Sequence, residues 1–227
     1  MRLTEAEYRS NVSAWAAAGW QIATHAIGDR ANRLVLDAYS DACREHAERT
    51  AELAPDLRLR IEHYQIVNAS DLPRIHSAGE HAGGRSACML ASMQPTHATA
   101  DMGFAEDRLG KARLRGAYAW QSVLDSGAAA LPFGSDWPTV GVVPPMLGIY
   151  AAVTREDLEG RPNGGWMASQ CVSREQALRG YTTDAAFAAF NEKTQGRIAP
   201  GYHGTRARLR VRVCVCMRVR VRMFMRV

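Results

Sequence analysis

No apolar run in this chain approaches the roughly 18 to 20 residues that a membrane-spanning helix requires, which excludes a bilayer span. The opening residues Met1-Arg2-Leu3-Thr4-Glu5 carry an acid at once and no apolar stretch follows, so a secretory leader is absent from this reading and a cytoplasmic location is expected. Cysteine is sparse: Cys43, Cys88, Cys171, Cys214 and Cys216 are odd in number and lack framework spacing, which argues against a disulfide scaffold. The one-residue gap of Cys214-Val215-Cys216 is too short for a redox CxxC, and no second pair accompanies it for zinc. GxGxxG, Walker A, nucleophile-elbow, HExxH and EF-hand patterns are all missing, which removes the common dinucleotide, P-loop, serine-hydrolase and calcium-loop signatures. Acids are missing from one place only. From Tyr202 to Val227 there are eight Arg and no Asp or Glu, while the first 201 residues carry 20 Lys+Arg against 23 Asp+Glu, a net −3. The overall charge of +5 therefore belongs to the tail, and nucleic acid is not an expected partner of the body.

What remains is ordinary globular material, 47% hydrophobic and 22% charged over 227 residues, enough for most of an α/β barrel of about 250. Helix and strand signals alternate. Thr4-Glu5-Ala6-Glu7 is a capping box, followed at helical spacing by Tyr8, Val12, Trp15 and Ala16. Residues 20–25 predict a short strand, and Asp29 is placed to cap a helix with an apolar stripe of Ala31, Leu34, Val35, Ala38 and Ala42. Residues 57–63 alternate as a second strand and 70–78 predict a helix. A third strand over 89–94, a broken helical stretch over 105–125 and a fourth strand over 128–133 follow. Two further helices are predicted, one through Met146, Ile149 and Val153, and one behind the capping box Ser173-Arg174-Glu175-Gln176. Strands separated by helices imply parallel βα units. Residues 1–201 form that unit. Residues 79–88 read as a Gly-rich insertion, and 202–227 as a low-complexity, irregular Arg/Val-rich tail whose alternation is compatible with an edge strand or with no fold.

Three side chains of metal-binding type fall where strands are predicted to end: His25, His63 and Asp136, spread over 112 residues. The same ends of parallel strands converge in a (β/α) barrel, so these residues can meet at one divalent ion, with Asp136 also able to accept a proton from the ion's water. Singly, each has a plainer reading: a strand-end His is commonly a hydrogen-bonded rim residue, and Asp before Trp-Pro can simply start a turn. Gln94 and His97 follow the third strand. They could orient a substrate carbonyl, and His97 could equally be a solvated loop residue. His46, His76 and His81 read as surface residues.

The motifs His-Ala-Ile-Gly-Asp-Arg-Ala (25–31), Arg-Ile-Glu-His (60–63), Ala-Ser-Met-Gln-Pro-Thr-His (91–97), Gly-Ala-Tyr-Ala-Trp-Gln-Ser (116–122), Phe-Gly-Ser-Asp-Trp-Pro (133–138) and Tyr-Ala-Ala-Val-Thr-Arg (150–155) resemble amidohydrolase family 3 in order and spacing. So do Ser-Arg-Glu-Gln-Ala-Leu-Arg (173–179) and Tyr-Thr-Thr-Asp-Ala-Ala (181–186). The resemblance is to the YtcJ-like and formamide-deformylase branch of the metal-dependent hydrolases, and it implies the C-terminal half, strands 5 to 8, of a TIM barrel. It implies His25, His63 and Asp136 as metal ligands, Asp136 as the catalytic proton carrier, and Gln94 and His97 in the substrate pocket. The implied cofactor is a divalent metal, zinc by default, and the implied substrate is a small amide- or formamide-type molecule attacked by metal-activated water. The family's His-x-His after strand 1 and its bridging ligand after strand 4 have no counterpart here, so a truncated form is expected. The competing expectation is a non-catalytic fragment or binding module whose basic tail contacts nucleic acid or an anionic surface.

Overall fold

A computed structural model describes residues 3–51, 55–75, 80–81, 84–141 and 143–203. The Arg/Val tail beyond His203, His76 and part of the Gly-rich insertion lie outside the described residues. Helix α1 (Glu5–Ala17) begins at the capping box read from the sequence: Thr4 Oγ1 accepts the Glu7 amide, and Glu7 Oε2 accepts the Thr4 amide at 2.7 Å. Val12 and Ala16 are buried while Trp15 stands exposed, so the packed stripe is narrower than the apolar spacing suggested. Strand β1 (Ala23–Ala26) leads through Gly28 into the long helix α2 (Asp29–Thr50). Asp29 does not cap this helix, as the sequence suggested; Gly28 holds the cap position and Asp29 sits in the first turn, where its charge suits the helix dipole. The buried face of α2 is carried by Asn32, Val35, Leu36, Ala38, Tyr39 and Ala42, shifted from the predicted stripe so that Ala31 is exposed.

Strand β2 (Leu59–His63) pairs parallel with β1, in register Thr24 with Ile61 and Ala26 with His63. The predicted helix after it is a 3-10 turn over Ala69–Ile75 with Pro73 inside. Two short strands, β3 (Glu80–His81) and β4 (Gly84–Arg85), pair antiparallel within the insertion. Strand β5 (Met89–Ser92) then pairs parallel with β2, giving the sheet order β1–β2–β5. Met89 and Ala91 join the main apolar cluster while Leu90 packs with Phe187 and Ala188 in a second one, so β5 is covered on both faces.

The expected fourth strand is reduced to a single parallel bridge between Met93 and Phe133. Met93 donates to the Pro132 carbonyl and Gly134 donates to the Met93 carbonyl, each at 3.0 Å. Towards the N-terminus the ladder stops because Pro132 has no N–H to give to β5; the Leu131 amide, on the opposite edge, is taken by the buried Asp184 carboxylate at 3.1 Å. Between these segments run α3 (Pro95–Asp101), α4 (Ala105–Leu109), α5 (Lys111–Leu114) and α6 (Trp120–Asp125). Helix α7 (Pro145–Thr154) follows, and the predicted last helix is broken at Thr182 into α8 (Arg174–Tyr181) and α9 (Thr183–Ala188).

Two further findings were not read from the sequence. Cys43 on α2 and Cys88 before β5 are disulfide-bonded, with Cα atoms 6.0 Å apart, because α2 lies across the sheet and brings together cysteines 45 positions apart. Arg58, at the entry to β2, is buried between the rings of Phe187 and Phe190 and held by Asp56 and Glu192. That knot ties the C-terminal segment to the start of the sheet, opposite the end where His63 lies. Among the described residues, no helix is long and apolar enough to cross a membrane.

Candidate active site

The C-terminal ends of the parallel strands bring His25, His63, Gln94, His97 and Asp136 to one side of the molecule. The imidazoles of His25 and His63 meet edge-on with centroids 4.4 Å apart, and those of His63 and His97 stack at 5.6 Å. His97 Nε2 lies 3.9 Å from Asp136 Oδ2. His25 is exposed, whereas His63 and Gln94 are buried.

Strict strand alternation would not produce this arrangement. In the β1–β2 register His25 faces with Glu62, while His63 pairs with Ala26 and falls on the face of Leu59 and Ile61, against the core. The backbone turns left-handed at His63 (φ 78°) and Tyr64 (φ 44°), which ends the alternation where the His63 ring lies against His25. Asp136 is also left-handed (φ 59°). Such conformations cost a non-glycine residue of order 1–3 kcal/mol and persist only where neighbours hold them.

Those neighbours are identifiable. The fully buried Asn32 amide donates to the carbonyls of Ile27 and Gly28, after His25, and to that of Ile66, after His63. The Ile66 amide donates in turn to the Ile27 carbonyl at 2.8 Å. The first two site loops are therefore bolted together. Asp136 follows Gly134, whose carbonyl accepts from the Tyr181 hydroxyl at 3.2 Å. His97 sits on α3, behind the cap residue Gln94, and not in the open loop that the sequence allowed. Neither Asn32 nor Tyr181 was singled out as a site residue from sequence. Asn32 directly follows the 25–31 motif and Tyr181 opens the 181–186 motif, which were usable signals.

The electrostatics favour neutral imidazoles. Burial, and then the neighbouring His25, push His63 below the ordinary histidine range; burial, and then His63, do the same to His97, with Asp136 pulling both the other way. Among the described residues, His63 Nδ1, His97 Nε2 and Gln94 Oε1 are buried without a hydrogen-bond partner. Gln94 lies beside the His63 ring and favours its protonated form, yet the two unpaired atoms do not meet in bonding geometry. Unpaired neutral imidazole nitrogens beside a carboxylate are the donor types a divalent cation takes, so the residues present suit such an ion. The arrangement is nevertheless one of pairs: among the described residues, no three His, Cys, Asp or Glu side chains converge as cation ligands would.

The model of the amidohydrolase family matches residues 3–204. The chain is 34% identical over 187 residues to the protein LONG AFTER FAR-RED 3 of Arabidopsis thaliana, covering 81% of this chain and 28% of that one. It is 30% identical over 184 residues to the YtcJ protein of Bacillus subtilis (strain 168), covering 81% and 31%. Among solved structures it superposes on an uncharacterized metal-dependent hydrolase from Pyrococcus horikoshii OT3 with a TM-score of 0.64 and 24% identity, over 88% of this chain and 36% of that one. The chain thus spans about a third of the length of these relatives. The matched family model covers nearly the whole described chain, including every residue that builds this cluster, and the chain belongs to the amidohydrolase family.

Proposed function

We propose that this chain carries the later part of a metal-dependent hydrolase site, on strands 5 to 8 of a (β/α) barrel, acting on a non-peptide C–N bond of a small amide- or formamide-type molecule. In this reading His25, His63 and Asp136 hold a divalent ion, zinc by its fit to mixed His and carboxylate donors. A bound ion supplies positive charge that makes an adjacent water acidic near neutral pH.

The chain's own groups do the rest. Asp136 is the carboxylate that accepts the water's proton, since it stands beside His97 at the mouth of the cluster and no Lys or Arg among the described residues pairs with it. His97 and Gln94 contact the substrate: His97, neutral when buried, presents Nε2, and Gln94 presents an unpaired carbonyl oxygen to an N–H. The single observation that carries the reading is the placing of two histidines with buried, unpartnered ring nitrogens, His63 against His25 and His97 3.9 Å from Asp136.

The test is release of primary amine from N-benzylformamide by the zinc-supplemented full chain, compared with its D136N variant. Amine release by wild type, lowered at least about 100-fold in D136N, is the expected outcome for loss of a proton acceptor. Equal rates in the two proteins contradict the reading.

A further inference from the structure

A polar triangle lies between the His63 loop and the helix that carries His97. Asp101 closes α3 one helical turn after His97, so the two side chains share a helix face. Its Oδ2 accepts the Tyr118 hydroxyl at 2.6 Å and Gln65 Nε2 at 2.7 Å, and Gln65 Nε2 also lies 3.0 Å from the Tyr118 oxygen. Gln65 stands two positions beyond His63. The triangle therefore spans the loop after β2 and the helix after β5.

Tyr118 is fixed at every polar atom. Its amide donates to the Gln65 carbonyl at 2.7 Å, its carbonyl accepts Arg155 Nη1 at 2.9 Å, and its hydroxyl ends on Asp101. Arg155 is itself fully buried over the Trp120 ring, 4.3 Å from its centroid, and bonds to the carbonyls of Tyr118 and Trp166. Burial, and then the Asp101 carboxylate, raise the Tyr118 phenol far above its ordinary value, so it remains a donor throughout the neutral range. The residue is held at φ 49°, a conformation that a bulky side chain adopts only when its surroundings impose it. Gly116 makes the approach possible, because a Cβ there would stand 1.9 Å from the Val67 carbonyl oxygen.

We infer that Gln65, Asp101 and Tyr118 form a positioning device for the site, setting the distance between the His63 loop and α3 so that the His63 and His97 rings remain stacked. None of the three touches the cluster's reacting centre; they act through the elements that carry the two histidines, and Asp101 also acts on His97 by its charge. The link to cation binding rests on the function proposed above, but the positional claim does not.

The test uses the metal-free full chain with Y118F, D101A and D101N. Y118F removes one hydroxyl, and D101N keeps an oxygen where both hydrogen bonds end. Heteronuclear NMR of the His63 and His97 rings is recorded at about pH 8, where both imidazoles are neutral. Y118F and D101A are expected to shift both sets of ring resonances, and D101N to restore the His63 resonances to wild-type positions, leaving at His97 only the effect of the lost Asp101 charge. Cobalt(II) titration followed by visible absorption then reads the consequence: affinity falls about tenfold or more in Y118F and D101A and stays within about threefold in D101N. Ring resonances unchanged in Y118F and D101A overturn the inference, whatever happens to thermal stability. If the rings shift but wild type takes up no cobalt, the cation reading fails and the positioning role stands.

Discussion

Tyr181 reaches the Asp136 loop only because residue 148 has no side chain: a Cβ on Gly148 would stand 1.7 Å from the Tyr181 hydroxyl oxygen. That hydroxyl donates to the Gly134 carbonyl, and Gly134 in turn bonds back to Met93 on the sheet. The smallest residue of α7 thus decides where the fourth site loop lies. Gly148→Ala is expected to lower unfolding free energy by about 1–3 kcal/mol, the usual cost of overpacking, as measured by urea denaturation. Tyr181→Phe should cost about 1 kcal/mol, the worth of a single neutral hydrogen bond.

Gly116 gives a sharper case, because the obstacle is backbone. A Cβ would meet the Val67 carbonyl oxygen at 1.9 Å, so Gly116→Ala must separate two segments that are hydrogen-bonded to each other. A loss of about 3 kcal/mol or more is expected. Gly103, with open space at its Cβ position and an ordinary φ, is the control, and Gly103→Ala should change stability by no more than about 0.5 kcal/mol.

The Cys43–Cys88 bond closes a loop that encloses β2 and His63. In the chain-entropy model a loop of this length restricts the unfolded chain by about 4 kcal/mol. Urea denaturation with and without reductant should show a loss of unfolding free energy of that order, reproduced by Cys43→Ser with Cys88→Ser. Thiol titration of the denatured, unreduced protein that finds all five cysteines free would contradict the pairing.

The two depressed histidines set a pH dependence in the metal-free protein. Burial, and then a neighbouring imidazole, hold His63 and His97 below the value an unfolded histidine takes, about 6.5. The unfolded chain therefore binds more protons in this range. The contribution of each group is fully present above that pH and is lost as pH falls towards the lower folded value. Unfolding free energy should decline as pH is lowered from about 7 to about 5, less steeply in His97→Gln. A stability that rises over the same interval contradicts the assignment.

Much of this was legible in the sequence because it is local. The Thr4 and Ser173 capping boxes, the parallel strands that carry His25 and His63 at their C-terminal ends, and the family motifs all lie within short windows. What was hidden depends on distant partners. The register pairs His63 with Ala26 on the core face, and only the left-handed turn at His63 and Tyr64, which no local pattern announces, brings it to His25. The fourth strand looked sound over 128–133, yet Pro132 offers no amide to carry the pairing back from the single bridge at Met93. Cysteine spacing could not announce a bond set by how a 22-residue helix crosses the sheet. Asp101 and Gln65 carry no sequence signal at all; they matter because Tyr118 joins them.

The central claim is that His25, His63 and Asp136 serve one divalent ion, and calorimetric titration of zinc into the metal-free full chain tests it most directly. About one equivalent bound by wild type is expected, with affinity lowered at least about tenfold in each of His25→Ala, His63→Ala and Asp136→Ala. Less than about a tenth of an equivalent bound, or binding that none of the three substitutions alters, would contradict the account.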